Sequence, residues 1–272
     1  SAWLRTRRFW VQLLAGAPEI KYLNLMINFK VYIINLQKDK NRKKNILNEL
    51  KKQNLKNYKF ISAVNGNKLK KKEINSLISK EKNFINPINT NMSKSEIGCS
   101  LSHIKIYKEI VKSDIDYALI LEDDAFFLNK FTKNLKKFIS INFKYKKQII
   151  LLSELREFYK IPIDKEKDYE IVDVTNAYFT HSYFINNEAA RSLLHFNFPV
   201  KTVADNFIIF KIYCGIKITG LNPYLLSQDK KKFESSIKFT SNLKQVFLFK
   251  RFIYKSYNKI LKKLNKFESH KG

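Results

Sequence analysis

Apolar positions along the chain switch between two spacings, and the switches mark the elements. Val31-Tyr32-Ile33-Ile34-Asn35-Leu36 is nearly continuous in apolar character, as expected of a strand buried on both faces. Over Lys38–Leu55 the apolar residues thin to Ile46, Leu47, Leu50 and Leu55, a helical stripe among lysines. Tyr58 to Ala63 reads as a second strand, stopped by Asn65-Gly66. Lys70–Glu81 has the pattern of a polar helix. Ser93-Lys94-Ser95-Glu96 fits a capping box, with Ser93 as N-cap and Glu96 three residues on. Ile97, Leu101, Ile104 and Val111 continue from it at helical spacing. Short apolar runs at Tyr117–Leu121, Gln148–Leu152, Val172–Val174 and Tyr183–Ile185 predict further strands, and Asn187–Leu194 and Val203–Tyr213 predict helices. This alternation predicts an α/β fold with helices around a mostly parallel central sheet. No internal repeat is present.

The two ends break the pattern. Residues 1–25 hold Arg5, Arg7 and Arg8, three of only seven arginines, and both tryptophans. The native start is expected at Met26, with the preceding stretch an expression-derived or mis-assigned leader. Its apolar run is short, and Pro18, Glu19 and Lys21 interrupt any membrane span. Lys230–Gly272 carries 13 cations against Glu234 and Glu268. Val246, Phe249, Ile253, Tyr257, Ile260, Leu264 and Phe267 share one helical face there. Such a basic amphipathic helix suits an anionic membrane surface, or equally packs its stripe on the main domain. The expected division is therefore a leader (1–25), a catalytic domain (26–228) and a basic tail (229–272).

Composition narrows the function classes. With 44% hydrophobic and 14% aromatic residues, 272 residues can build a sizeable core, which excludes whole-chain disorder. Two cysteines exclude a disulfide framework and a four-thiolate zinc site. Lys+Arg is 52 against 24 Asp+Glu, a formal net charge of +28. This steers the chain toward anions without choosing among nucleic acid, lipid and phosphorylated substrates. The excess is nearly all lysine, whereas base-edge readout favours the arginine fork.

Against that charge, Glu122-Asp123-Asp124 requires a reason. The triplet follows the apolar strand Tyr117–Leu121 directly, and ligands of open α/β sheets sit outside the carboxyl ends of strands. In extended chain, Glu122 and Asp124 are expected on one face and Asp123 on the other. Two carboxylates so placed can hold a hard divalent cation that also takes diphosphate oxygens. A solvated turn is the plain alternative. No glycine-rich phosphate loop of either common type is present.

Several segments in order resemble glycosyltransferase family 25, the group of bacterial lipooligosaccharide galactosyltransferases and collagen galactosyltransferase domains. These are Val31–Leu36 with Arg42; Ser95-Glu96-Ile97-Gly98-Cys99-Ser100-Leu101-Ser102-His103; Leu121-Glu122-Asp123-Asp124-Ala125; Thr180 with Tyr183-Phe184-Ile185, Ala189 and Ala190; and Leu221-Asn222-Pro223 with Gln228. Asn186 stands where the family pattern has Ser, and Val203-Ala204-Asp205 matches only at the Asp. The resemblance implies a GT-A-like nucleotide-sugar-binding fold, a UDP-sugar donor, Mn²⁺ or Mg²⁺, and inversion at the anomeric carbon. It places Asn35, Leu36, Arg42, Ser95, Gly98, His103, Asp123, Asn222 and Gln228 at the donor, with acceptor binding or loop-backbone bonding as alternatives for Asn222 and Gln228. Asp124, with Glu122, is expected at the metal. Asp205 and Glu122 are the catalytic candidates, Asp205 as general base, with acceptor binding or helix capping as its alternatives. His181 is a candidate for the acceptor.

The residue chemistry leaves some roles open. His103 could bond the donor, orient a carboxylate or be purely structural. Gly98 is explained equally by donor phosphate and by packing. Cys99 reads as a small apolar filler. Arg42 and Arg156 could meet diphosphate or lie on the surface. The function expected from the resemblance is hexose transfer, with galactose favoured over glucose and N-acetylhexosamine. The acceptor expected is lipooligosaccharide or a related, lipid-linked surface glycan, at the cytoplasmic face of the inner membrane. No nucleic-acid partner is expected. The competing classes are a nucleic-acid-binding protein, which leaves the acidic triplet without purpose, and an inactive adaptor with the same fold.

Overall fold

A computed structural model describes residues 29–79, 92–113, 115–128, 144–155, 157–177 and 180–228, together with Ser256 and Phe267–Glu268. The leader, Arg156 and nearly all of the basic tail lie outside the described residues.

The chain begins as a strand–helix–strand unit: β1 (Phe29–Asn35), α1 (Lys40–Lys52) and β2 (Tyr58–Ser62). A 3₁₀ turn (Gly66–Lys68) and α2 (Lys71–Leu77) precede α3 (Lys94–Lys112). The predicted capping box opens α3. Ser93 Oγ accepts from the Glu96 amide at 3.2 Å, and Glu96 Oε2 accepts from the Ser93 amide at 2.6 Å. Then follow β3 (Tyr117–Glu122), β4 (Ala125–Phe127), β5 (Gln148–Leu151), β6 (Glu157–Tyr159), β7 (Asp164–Lys165), β8 (Glu170–Asn176) and β9 (Ser182–Asn186). α4 (Asn187–Asn197), α5 (Phe207–Cys214), β10 (Lys217–Asn222), β11 (Leu226–Gln228) and β12 (Phe267–Glu268) complete the elements.

The main sheet runs β12-β6-β8-β10-β5-β9-β3-β1-β2, with β7 added against β8. It is mixed, not mostly parallel. β1 pairs in parallel with β2 and β3, and β5 with β10. Between these blocks β9 runs antiparallel to both β3 and β5, and β8 is antiparallel to β10. Burial pattern could not reveal this, because every residue of β9 is buried and an all-buried strand reads the same in either direction.

Alternating side chains of β1 feed two cores. Tyr32 and Ile34 join Ile104, Ile110 and Leu193 beneath α3 and α4. Val31 and Ile33 join Ile46 and Leu50 of α1, together with Phe127 and Leu226. The last two belong to a small second sheet of β4 against β11, in which Gln228 lies opposite Ala125. That pairing draws residues 226–228 back to the end of β3.

Other expectations shift. The helix predicted over Val203–Tyr213 starts only at Phe207, because residues 203–206 turn first. Of the helix predicted over Lys70–Glu81, Lys71–Leu77 is helical, and residues 80–91 lie outside the described set. In the tail Ser256 is helical. Phe267, expected at the end of the helical stripe, instead pairs as strand with Tyr159 on the edge of β6. Among the described residues, no helix is long and apolar enough to cross a membrane.

Candidate active site

The site forms where β1 and β3 end side by side, with Ile34 level with Glu122. Strand geometry stops at Glu122, and Asp123–Asp124 form a turn before β4. The turn overrides the predicted alternation. Asp123 and Asp124 are the pair that shares a partner, Arg42 in the first turn of α1. Arg42 Nε donates to Asp123 Oδ1 at 2.6 Å, and its Nη2 stands 2.8 Å from Asp124 Oδ2. Asn35, the last residue of β1, donates from Nδ2 to Asp123 Oδ2 at 2.6 Å. Gln228 Nε2 reaches Asp124 Oδ2 at 3.5 Å.

Glu122 has different company. Thr180 donates its hydroxyl to Oε1 at 2.6 Å, and His103 Nε2 stands 3.6 Å from the same oxygen. His103 is itself held, since Nδ1 hydrogen-bonds the Tyr183 hydroxyl at 2.8 Å and that hydroxyl bonds Tyr107 at 2.9 Å.

These environments separate the three acids. Burial pushes the Glu122 carboxyl up, but His103 and Thr180 outweigh it and hold the group well below its ordinary value. For Asp124, burial and the Glu122 charge lift the carboxyl to about 6 against the pull of Arg42. Asp123 also rises, chiefly through burial. One cation does not offset three clustered acids.

A cavity of about 180 Å³ opens beside them, bounded by Leu36, Arg42, residues 63–67, Ser95, Cys99, Ser102, His103, Glu122 and Asp123. It gathers six of the residues picked from sequence: Leu36, Arg42, Ser95, His103, Glu122 and Asp123. Asn35, Asp124 and Gln228 are linked to it through the bonds above. Asp205 sits in the turn before α5, near enough that its charge helps Glu122 and burial raise the Cys99 thiol.

Three residues picked from sequence are placed differently. A Cβ on Gly98 would stand 2.6 Å from Val64 O and Gly66 N, so its smallness lets α3 press on the 64–66 loop and does not clear space for donor phosphate. His181 is 1% exposed and faces Glu154, with Nε2 3.5 Å from Oε2; that burial speaks against direct acceptor contact. Asn222 ends β10, separated from β3 by β5 and β9, and lies level with Glu170.

Sequence reading also missed partners. Thr180 entered only as part of a motif. Glu154, just beyond β5, accepts from Ser227 Oγ at 2.7 Å. The signal was available: an acid past a buried strand's carboxyl end, as at Glu122. Ser227 had no such signal, because its position depends on the β4–β11 pairing.

One atom suits a hard divalent cation: Asp124 Oδ1 is buried with no hydrogen-bond partner, in a carboxylate close enough to Glu122 to feel its charge.

The sequence profile described as "Glycosyltransferase family 25 (LPS biosynthesis protein)" matches residues 28–208. The chain belongs to glycosyltransferase family 25. The family 25 match takes in β1, α3, β3, Thr180 and Asp205, and stops short of Asn222 and Gln228. Human procollagen galactosyltransferase 2 is 27% identical over 222 residues, covering 79% of this chain but 35% of the human protein. The chain thus spans about a third of that relative. A putative glycosyltransferase of Haemophilus influenzae is 26% identical over 224 residues, covering 76% of this chain and 74% of its own length. Among solved structures, a Drosophila galactosyltransferase 7 mutant in complex with manganese, UDP-Gal and xylobiose aligns at TM-score 0.37 and 9% identity. It covers 79% of this chain and 78% of that one, a likeness too slight to argue from.

Proposed function

We propose that this protein is an inverting, metal-dependent glycosyltransferase of GT-A type that moves galactose from UDP-galactose to a lipooligosaccharide or related surface glycan. The observation that carries this reading is the acidic turn at the end of β3, tied to Arg42 and opening on a cavity, in a family 25 chain. The family description favours a bacterial surface glycan over a collagen acceptor.

Asp124 and Glu122 would hold the divalent cation, which when bound neutralises the departing diphosphate. Arg42 and Asn35 fix Asp123 toward the donor. Glu122, kept ionised by Thr180 and His103, suits a cation better than a hydroxyl proton. Asp205 is therefore the general base. As the acceptor oxygen bonds the anomeric carbon, the bond to UDP breaks and its electron pair leaves with UDP. Asp205 takes the hydroxyl proton, a contribution of about 10²–10⁴-fold in rate. Attack opposite the leaving group inverts the centre. The basic tail, at about 1 kcal/mol per lysine near an anionic surface, holds the enzyme at the cytoplasmic face of the inner membrane.

UDP release from a panel of UDP-sugars tests the reading. Release should be greatest with UDP-galactose, vanish in EDTA and return with Mn²⁺. Undiminished turnover in EDTA refutes the metal assignment, and nucleotide binding without turnover on any donor makes the chain an inactive adaptor. Flotation with anionic vesicles should weaken when the tail lysines become glutamines; unchanged flotation refutes the membrane role.

A further inference from the structure

One wall of the cavity carries a second kind of donor set. Cys99 and His103 are four residues apart on α3 and so share a face, and Glu122 approaches from the end of β3. One ligand atom from each of the three lies within 4.8 Å of the others. His103 is 1% exposed, and its Nε2 has no hydrogen-bond partner. Glu122 Oε1, at 3.6 Å, is beyond hydrogen-bond length. The ring cannot turn to satisfy Nε2 elsewhere, because Tyr183, backed by Tyr107, holds Nδ1. Metal-binding histidines are commonly oriented in this way, through a bond at the other ring nitrogen.

The 3.6 Å between His103 Nε2 and Glu122 Oε1 suits a small tetrahedral ion. Zinc binds sulfur, nitrogen and oxygen at about 2.0–2.3 Å, which puts neighbouring ligand atoms about 3.3–3.8 Å apart. The ligand types point the same way: thiolate and imidazole select zinc, whereas Mn²⁺ and Mg²⁺ prefer all-oxygen sets such as Asp124 with Glu122.

We propose that Cys99, His103 and Glu122 form a zinc site whose fourth position opens into the cavity. On binding, the Cys99 thiol gives its proton to solvent and the sulfur bonds the metal. The ion would occupy the cavity and withdraw Glu122 from the carboxylate pair, so zinc would compete with the nucleotide-sugar. Only this inhibitory consequence rests on the transferase reading.

Cobalt titration of the metal-stripped full chain, without nucleotide, tests the site. The expected result is one Co²⁺ per chain with a thiolate-to-cobalt charge-transfer band, bleached by Zn²⁺. Cys99→Ser should abolish the band and weaken zinc at least about tenfold, measured against a chromophoric chelator, with circular dichroism confirming the fold. Cys214→Ser should keep the band, since Cys214 lies elsewhere. A cobalt spectrum without thiolate character, a band that survives in Cys99→Ser, or no binding at all overturns the proposal. None of these readouts involves sugar transfer, so the zinc site and the enzymatic reading fail or stand separately.

Discussion

The carboxyl ends of β3 and β5 are built alike and furnished differently. Each carries a glutamate beyond or at the strand end. Glu122 takes a hydroxyl bond from Thr180 at 2.6 Å and faces buried His103 at 3.6 Å. Glu154 takes one from Ser227 at 2.7 Å and faces buried His181 at 3.5 Å. In both, burial raises the carboxyl and the histidine and hydroxyl together outweigh it, leaving Glu154 at about 2. The difference is what stands alongside. Glu122 continues into Asp123 and Asp124, bridged by Arg42, and borders the cavity; Glu154 does neither. An ionised carboxylate at a strand end is thus a common product of α/β geometry. A site needs the added acids, the cation and the space.

The sharpest way to break this contrast is Asp124→Ala. Removing this buried acid, whose Oδ1 has no hydrogen-bond partner, should lower kcat/KM by about 10²–10³-fold with the fold intact, measured by UDP release. Arg42→Lys comes next. A lysine lacks the rigid fork that meets Asp123 and Asp124 from two separate nitrogens, so a loss of about 10–100-fold is expected. Gly98→Ala acts on structure, pushing α3 and its His103 off the 64–66 loop. Backbone atoms at 2.6 Å cannot yield cheaply, and a loss of about 1–3 kcal/mol should appear as a lower Tm.

Glu154→Gln should give the smallest change in turnover, under about tenfold. Its signature is in acid stability. Glu154 is held near 2 against an ordinary 4.5, so the unfolded chain takes up the proton first. Its stabilisation is complete above about pH 5 and is lost as pH falls toward 2, on the order of 2 kcal/mol. The glutamine variant should lack that part of the acid limb in urea melts. If Glu154→Gln instead stops turnover as fully as Asp124→Ala, the two strand ends are one site and the contrast fails.

Some of this was legible from residues alone. The capping box at Ser93, the strand into Glu122 and the group Arg42, His103 and Asp123 are local patterns, and a helix or strand carries such patterns on its face. Strand direction was not legible, as β9 shows. Nor was the orientation within the acidic triplet, because a turn at Asp123 breaks a periodicity that assumes extended backbone. Gly98 read equally as phosphate clearance and as packing, since both need a missing side chain and only the position of Gly66 decides. Gln228 reaches the acidic turn, and Ser227 the end of β5, through the pairing of β11 with β4, residues about a hundred positions apart, which no local window contains.

The pairing of Phe267–Glu268 with β6 gives the far end of the chain a share in the sheet's outermost rung. Cutting the chain after Gln228 would strip that rung and leave β6 with unsatisfied amides and carbonyls, a template for foreign strands. A shortened protein that clumps or self-associates would then be reporting on an uncapped sheet, and only charge swaps at full length would speak about lipids.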